Sequence, residues 1–112
     1  MNIQIFGKSK CFDTQKAQRY FKERGIKVQY IDILRYGLSK GELQNVRVAV
    51  GLEALIDSSA KEYAALSLDH IRGAQMREEI LQQNPKLYAT PIVRNGKQAT
   101  VGFQPEVWKT WQ

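Results

Sequence analysis

Cys11 is the only cysteine of the chain and stands in GKSKCFDTQKA (Gly7 to Ala17), between a strand-like run and a helical pattern. The thiolate is the nucleophile a cysteine offers, and a thiol pKa falls from about 8.5 to roughly 3.5 to 7.5 at helix N-termini and beside cations. Both influences are expected here. A helix starting after Cys11 points unsatisfied N–H groups and the positive end of its dipole at the sulfur, and Lys8, Lys10 and Lys16 lie within five residues. Asp13 opposes them, since a nearby negative charge raises a thiol pKa. Three cations and a dipole are expected to outweigh one carboxylate. Thr14, three residues on, is spaced to share a helix face with Cys11 and donate its hydroxyl to the sulfur. The same residue suits an N-terminal helix cap equally well.

A free cysteine is commonly a small buried hydrophobe. Here its neighbours Gly7, Lys8, Ser9, Lys10, Asp13 and Thr14 form a polar loop, which favours an exposed, reactive thiol. Gly7-Lys8-Ser9 imitates the tail of a phosphate-binding loop, but that motif needs a glycine five residues before the second one. Asn2 occupies that place, so the P-loop reading fails. His70 is the only histidine and has no cysteine or second histidine to complete a metal site, so no metal is expected.

The elements that must hold the thiol follow from periodicity. Asn2 to Phe6 alternates apolar Ile3 and Ile5 with polar neighbours before Gly7, as a short strand does. From Thr14, Ala17, Tyr20, Phe21 and Arg24 recur at helical spacing until Gly25, with Lys22, Glu23 and Arg24 as a solvated end. Val28, Tyr30, Ile31 and Ile33 predict a second strand, parallel to the first across the helix. Ser39-Lys40-Gly41-Glu42 is a capping box, and helices are expected over 40–50, 52–56 and 68–83, with a turn over 59–66. Asn84-Pro85 ends that stretch. Asn95-Gly96 between 91–93 and 97–101 predicts a hairpin. Residues 105–111 predict a last helix with Val107, Trp108 and Trp111 on one face, in core packing.

The 112 residues, 43% apolar and 25% charged, fit one soluble globular domain. No apolar run approaches the roughly 20 residues of a membrane span, and the N-terminus lacks a signal-peptide plan. A cytoplasmic protein is expected, and a lone cysteine suits a reducing compartment. The net charge of +6 favours a small anionic or thiol substrate. The basic residues are dispersed and no nucleic-acid-binding motif stands out, so no direct nucleic-acid contact is expected.

The order β-α-β, a helical insertion over about 38–84, then β-β-α resembles a thioredoxin-like (glutaredoxin-like) α/β fold with a mixed four-stranded sheet. The thiol after the first strand, "GLEALIDSSAKEYAAL", "YATPIVRNGKQATVGF" and "GFQPEVW" together resemble the arsenate reductase-like family, whose other branch is the Spx transcriptional regulators. The resemblance implies that Cys11 is the active-site cysteine, that Thr90-Pro91 is the residue-then-cis-proline step, and that Lys8, Ser9, Lys10 and Thr14 support the site. It also implies a thiol oxidoreductase with no bound cofactor, whose thiolate attacks an oxidised substrate or glutathione mixed disulfide.

With Cys11-Phe12-Asp13-Thr14 and no resolving cysteine, an external thiol such as glutathione, followed by glutaredoxin, must release the product. Arsenate reductases of the family hold the oxyanion with three arginines. The matching positions here fall among Asp57, Ser58 and Ser59, at Thr90, and at Phe103 or Gln104, so arsenate reduction is not the expected activity. Arg47, Arg72, Arg77 and Arg94 are the alternatives to check for an oxyanion site. The other branch implies a Spx-like regulator contacting the RNA polymerase α subunit. Gly51 resembles a glycine of its contact segment, while the CxxC switch and the following arginine are absent. A non-catalytic binding module is the third reading.

Overall fold

Residues 1–111 are described by a computed structural model. Strand β1 (Ile3–Gly7) leads to α1 (Phe12–Glu23), β2 (Val28–Asp32) and α2 (Ile33–Tyr36). The helical block holds α3 (Lys40–Val50), α4 (Lys61–Ala65) and α5 (Ala74–Gln83), with short 3-10 turns at Glu53–Leu55, Leu68–His70 and Pro85–Leu87. Strands β3 (Ile92–Asn95) and β4 (Gln98–Val101) and helix α6 (Pro105–Trp108) close the chain. The sheet order is β2-β1-β3-β4, with β1 parallel to β2 and antiparallel to β3, and β3 antiparallel to β4. This is the mixed four-stranded sheet of the thioredoxin-like fold.

Alternation along β1 builds two cores, because successive side chains leave a strand on opposite faces. Ile3 and Ile5 join Ala17, Tyr20 and Phe21 of α1 with Val93, Trp108 and Trp111. Phe6 enters the other core, among Ile33, Leu43, Val46, Leu55, Leu81, Leu87 and Tyr88 of the helical block and Ile92 of β3. Trp108 is a core residue as expected: its ring centroid lies 5.1 Å from Phe21 and 5.2 Å from Tyr20, and its Nε1–H donates to Thr100 Oγ1 at 2.7 Å. The central strand is thus covered on both faces, and its C-terminal end leads into the loop that carries Cys11.

Several sequence expectations change. The first helix begins at Phe12, so Cys11 is its N-cap residue and Thr14 lies inside the helix rather than capping it. Ile33 leaves the second strand because Asp32 accepts the Leu34 N–H at 3.0 Å and starts α2. The helix expected over 52–56 is only the 3-10 turn, since the chain is drawn into pairing with 87–89: Asp57 N donates to Leu87 O at 2.7 Å and Ala89 N to Leu55 O at 2.8 Å. The expected turn over 59–66 contains α4, whose Lys-Glu-Tyr-Ala-Ala run has good helix formers.

The helix expected over 68–83 breaks at Ile71–Gly73, where Arg77 Nη1 takes the carbonyls of Leu68 (2.6 Å) and Ile71 (2.7 Å). The last helix is regular only to Trp108, with single turns beyond, and Val107 is exposed. The capping box forms as expected, Glu42 N donating to Ser39 Oγ at 3.1 Å and Ser39 N to Glu42 Oε1 at 2.8 Å. In the hairpin Asn95 pairs with Gln98, so the turn residues are Gly96, at φ +61°, and Lys97.

Candidate active site

The loop between β1 and α1 brings Cys11 to the start of the helix. Cys11 N donates to Lys8 O at 3.0 Å, which closes a turn, and Cys11 O accepts from Gln15 N at 3.1 Å in the first helical turn. Ser9 O accepts from Gln15 Nε2 at 2.9 Å and fastens that turn to the helix. The sulfur is half-buried, and its S–H donates to the Thr90 carbonyl at 3.6 Å. The Thr90-Pro91 peptide bond is cis, as the resemblance implied. Cys11, Thr14, Thr90 and Pro91 therefore meet at one place although 79 residues separate Cys11 from Thr90.

The thiol pKa lies below its ordinary value. Burial is the largest single influence and raises it, because a charge loses solvation. Neighbouring donors that favour the thiolate outweigh burial: the Thr14 and Thr90 side chains and the backbone N–H groups of Thr14 and Asp13. Thr14 is fully buried, and among the described residues its hydroxyl has no hydrogen-bond partner, which leaves it available to an ionised sulfur.

The sequence reading credited the lysines and the dipole. The donors at the helix N-terminus carry the effect instead, and they are the groups from which the dipole's positive end arises. Lys16 lies 4.0 Å from Asp13 and 5.8 Å from the Phe103 ring centre, while Lys10 is exposed. Neither is among the main influences on the thiol.

Lys8 has a different task from the one its position suggested. Its Nζ donates to Tyr88 O at 2.8 Å and Lys86 O at 3.0 Å, tying the active-site loop to the segment that leads into Thr90-Pro91. Burial lowers its pKa most, against the raising effects of Asp57, the Cys11 thiolate and Glu62. Since two charges act on each other reciprocally, Lys8 also favours the thiolate, less strongly than the hydrogen bonds above. Lys8→Met is expected to leave both carbonyls without their donor and to cost about 1–3 kcal/mol of stability. Urea denaturation of the variant measures this, and an unchanged midpoint would show that the tether carries no energy.

The alternative arginines do not gather at Cys11. Arg47 pairs with Glu78, Arg77 with Glu53, and Arg94 Nε donates to Gln4 Oε1 at 2.8 Å. Arg72 borders a separate depression with Glu53, Tyr63, Asp69 and Arg77. Of the places matched to the family's arginines, Asp57 is a carboxylate whose charge reaches Lys8, and Phe103 stacks edge-on against Trp108 at 5.5 Å.

Sequence reasoning missed Tyr30 as a neighbour of the site. Its hydroxyl pKa is raised by burial first, then by the charges of Asp32 and Cys11, which keeps it an O–H donor. Strand periodicity gave no sign of this, because the ring reaches back along the sheet toward Gly7. Phe12, directly after the thiol, is 77% exposed.

The chain as a whole is similar to known proteins. The model of the ArsC family matches residues 6–111. The chain is 33% identical over 110 residues to the global transcriptional regulator Spx 2 of Oceanobacillus iheyensis, an alignment covering 95% of this chain and 80% of that protein. It is 25% identical over 111 residues to YusI of Bacillus subtilis, covering 95% of this chain and 94% of the other. The structure of arsenate reductase from Vibrio cholerae superposes with a TM-score of 0.85 at 26% identity, covering 96% of this chain and 94% of that one.

Proposed function

The chain belongs to the ArsC family, and from that premise we propose that it is a thiol oxidoreductase whose Cys11 thiolate attacks an oxidised sulfur, with a glutathione mixed disulfide as the substrate class. The observation that carries the reading is the placement of Cys11 at the N-terminus of α1 against the cis Thr90-Pro91 step, where its thiol pKa lies below the ordinary value in spite of burial. A cysteine kept for packing alone has no use for an anion-stabilising environment.

In the proposed reaction the thiolate attacks the glutathione sulfur of the mixed disulfide. The S–S bond breaks, the departing thiolate takes a proton from solvent, and Cys11 is left in disulfide linkage with glutathione. No second cysteine exists to resolve that linkage. The thiolate of a second glutathione, or of glutaredoxin, attacks it, releasing Cys11 and carrying away the two electrons' worth of oxidation as a disulfide. The site holds no bound cofactor in this scheme. Arsenate is a poor fit, since the places matched to the family's arginines, among Asp57, Ser58 and Ser59, at Thr90, and at Phe103 or Gln104, hold no arginine to make charge-assisted bonds to an oxyanion.

The test is the rate of Cys11 alkylation by iodoacetamide against pH. Only the thiolate reacts, so the rate rises with pH through the folded pKa, and the midpoint is expected below the free-thiol value of about 8.5. A midpoint at or above about 8.5, the free-thiol value, would overturn the reductase reading.

The 33% identity to Spx 2 supports a second reading, a transcriptional regulator that binds the RNA polymerase α subunit. Val48, 87% exposed on α3 beside Gly51, offers an apolar contact there. Binding of purified α subunit, unaffected by Cys11→Ser, would favour this reading. Absence of binding would leave the reductase alone.

A further inference from the structure

Gly7 ends β1 in regular parallel pairing with Asp32. Unlike Gly25, Gly37, Gly51, Gly96 and Gly102, it does not have positive φ. Its backbone conformation is therefore open to other residues, and conformational freedom does not explain the glycine. Space does. A Cβ at position 7 would stand 2.9 Å from Thr14 Oγ1, nearer still to Thr14 Cγ2, and 3.1 Å from Tyr30 Cε1.

Thr14 has no easy way to yield. It is fully buried and β-branched, so few χ1 states are open to it in a helix. Its hydroxyl is also buried without a protein partner at hydrogen-bond geometry. An unpaired buried hydroxyl costs free energy unless something uses it, and Thr14 is three residues into the helix that Cys11 caps.

We infer that Gly7 is a positioning residue for the thiolate: the missing side chain lets Thr14 keep the rotamer that presents its hydroxyl to Cys11, and the Tyr30 ring closes the other side. The inference rests on the reading of Cys11 as a working nucleophile. Any side chain at position 7 turns or pushes Thr14, and the sulfur loses a donor while still paying for its burial. The result is a thiol of higher pKa in a protein whose fold is otherwise unchanged.

The experiment compares iodoacetamide alkylation against pH for the wild type, Gly7→Ala, Thr14→Ser and the double variant Gly7→Ala/Thr14→Ser. Serine keeps the hydroxyl and lacks the Cγ2 that conflicts most with the alanine. A midpoint rise of about one pH unit is expected in Gly7→Ala, with a roughly tenfold lower rate below both midpoints. Thr14→Ser gives the reference midpoint for a hydroxyl without the methyl, and the double variant is expected nearer to that reference than Gly7→Ala is to wild type.

Because deleting that methyl relieves the clash on either account, Thr14→Val separates positioning from disruption: without the hydroxyl its midpoint is already raised, and adding Gly7→Ala raises it no further, whereas an additional rise overturns the inference. A low midpoint in both wild type and Gly7→Ala overturns the inference and leaves the reductase reading intact. A raised midpoint in Gly7→Ala/Thr14→Ser, with Thr14→Ser low, also overturns it. A wild-type midpoint at the free-thiol value overturns the reading on which it rests.

Discussion

Cys11→Ser is expected to abolish reduction of a glutathione mixed disulfide, with a loss of at least about a thousandfold. A serine hydroxyl is weak as a nucleophile without an adjacent general base. The site offers hydroxyls and N–H donors to position 11 and no histidine, since His70 is exposed and lies beside Asp69 at 3.7 Å. Those donors stabilise an anion that already exists and cannot remove a proton from serine. The measurement is turnover of a glutathionylated peptide with glutathione and glutaredoxin supplied, beside a control without the protein. Residual activity above that control would place the chemistry elsewhere.

The same substitution has a signature in stability. The folded pKa of Cys11 lies below that of a free thiol, so ionisation favours the folded state. That contribution is fully present above the unfolded thiol pKa and is lost as pH falls through the folded one. Denaturation midpoints of wild type and Cys11→Ser should therefore diverge toward alkaline pH within that window, with the wild type gaining. A constant difference across the window would mean that the sulfur environment does not distinguish thiol from thiolate.

What could be read from the sequence was local. The strand before Cys11, the helix after it, the capping box at Ser39 and the Asn95-Gly96 hairpin are set by neighbours in the chain, and the structure has all of them. The family resemblance supplied the meeting of Cys11 with the cis Thr90-Pro91 step, which periodicity could not. Contacts across the sequence explain what was missed. Lys8 was read as a cation beside the thiol, but its side chain ends on carbonyls 78 and 80 residues away. Tyr30 fitted its strand without revealing that its ring closes on Gly7. In the helical block, segments too short for a clear period were decided by pairing and by one buried arginine.

That arginine sets the second large effect. Arg77→Met is expected to destabilise the protein by about 2–4 kcal/mol, since it leaves two carbonyls without their charged donor at about 1–3 kcal/mol for a buried group left unsatisfied. The guanidinium is largely buried at 10% side-chain exposure and makes four bonds: Nη1 to the carbonyls of Leu68 and Ile71, and Nε and Nη2 to the Glu53 carboxylate at 2.9 and 2.8 Å.

The two halves of this network should contribute unequally. Glu53 is 70% exposed, so water replaces its partner and screens the pair, and Glu53→Gln is expected to cost less than about 1 kcal/mol. The carbonyls have no such substitute, because they are where the chain leaves helical geometry between Leu68–His70 and α5. Arg77→Lys should recover only part of the loss, since an ammonium lacks the planar fork that reaches both carbonyls and both carboxylate oxygens. Urea denaturation of the three variants is the measurement. If Glu53→Gln proved as costly as Arg77→Met, the ion pair rather than the carbonyls would hold the helical block, and the break at Ile71–Gly73 would need another cause.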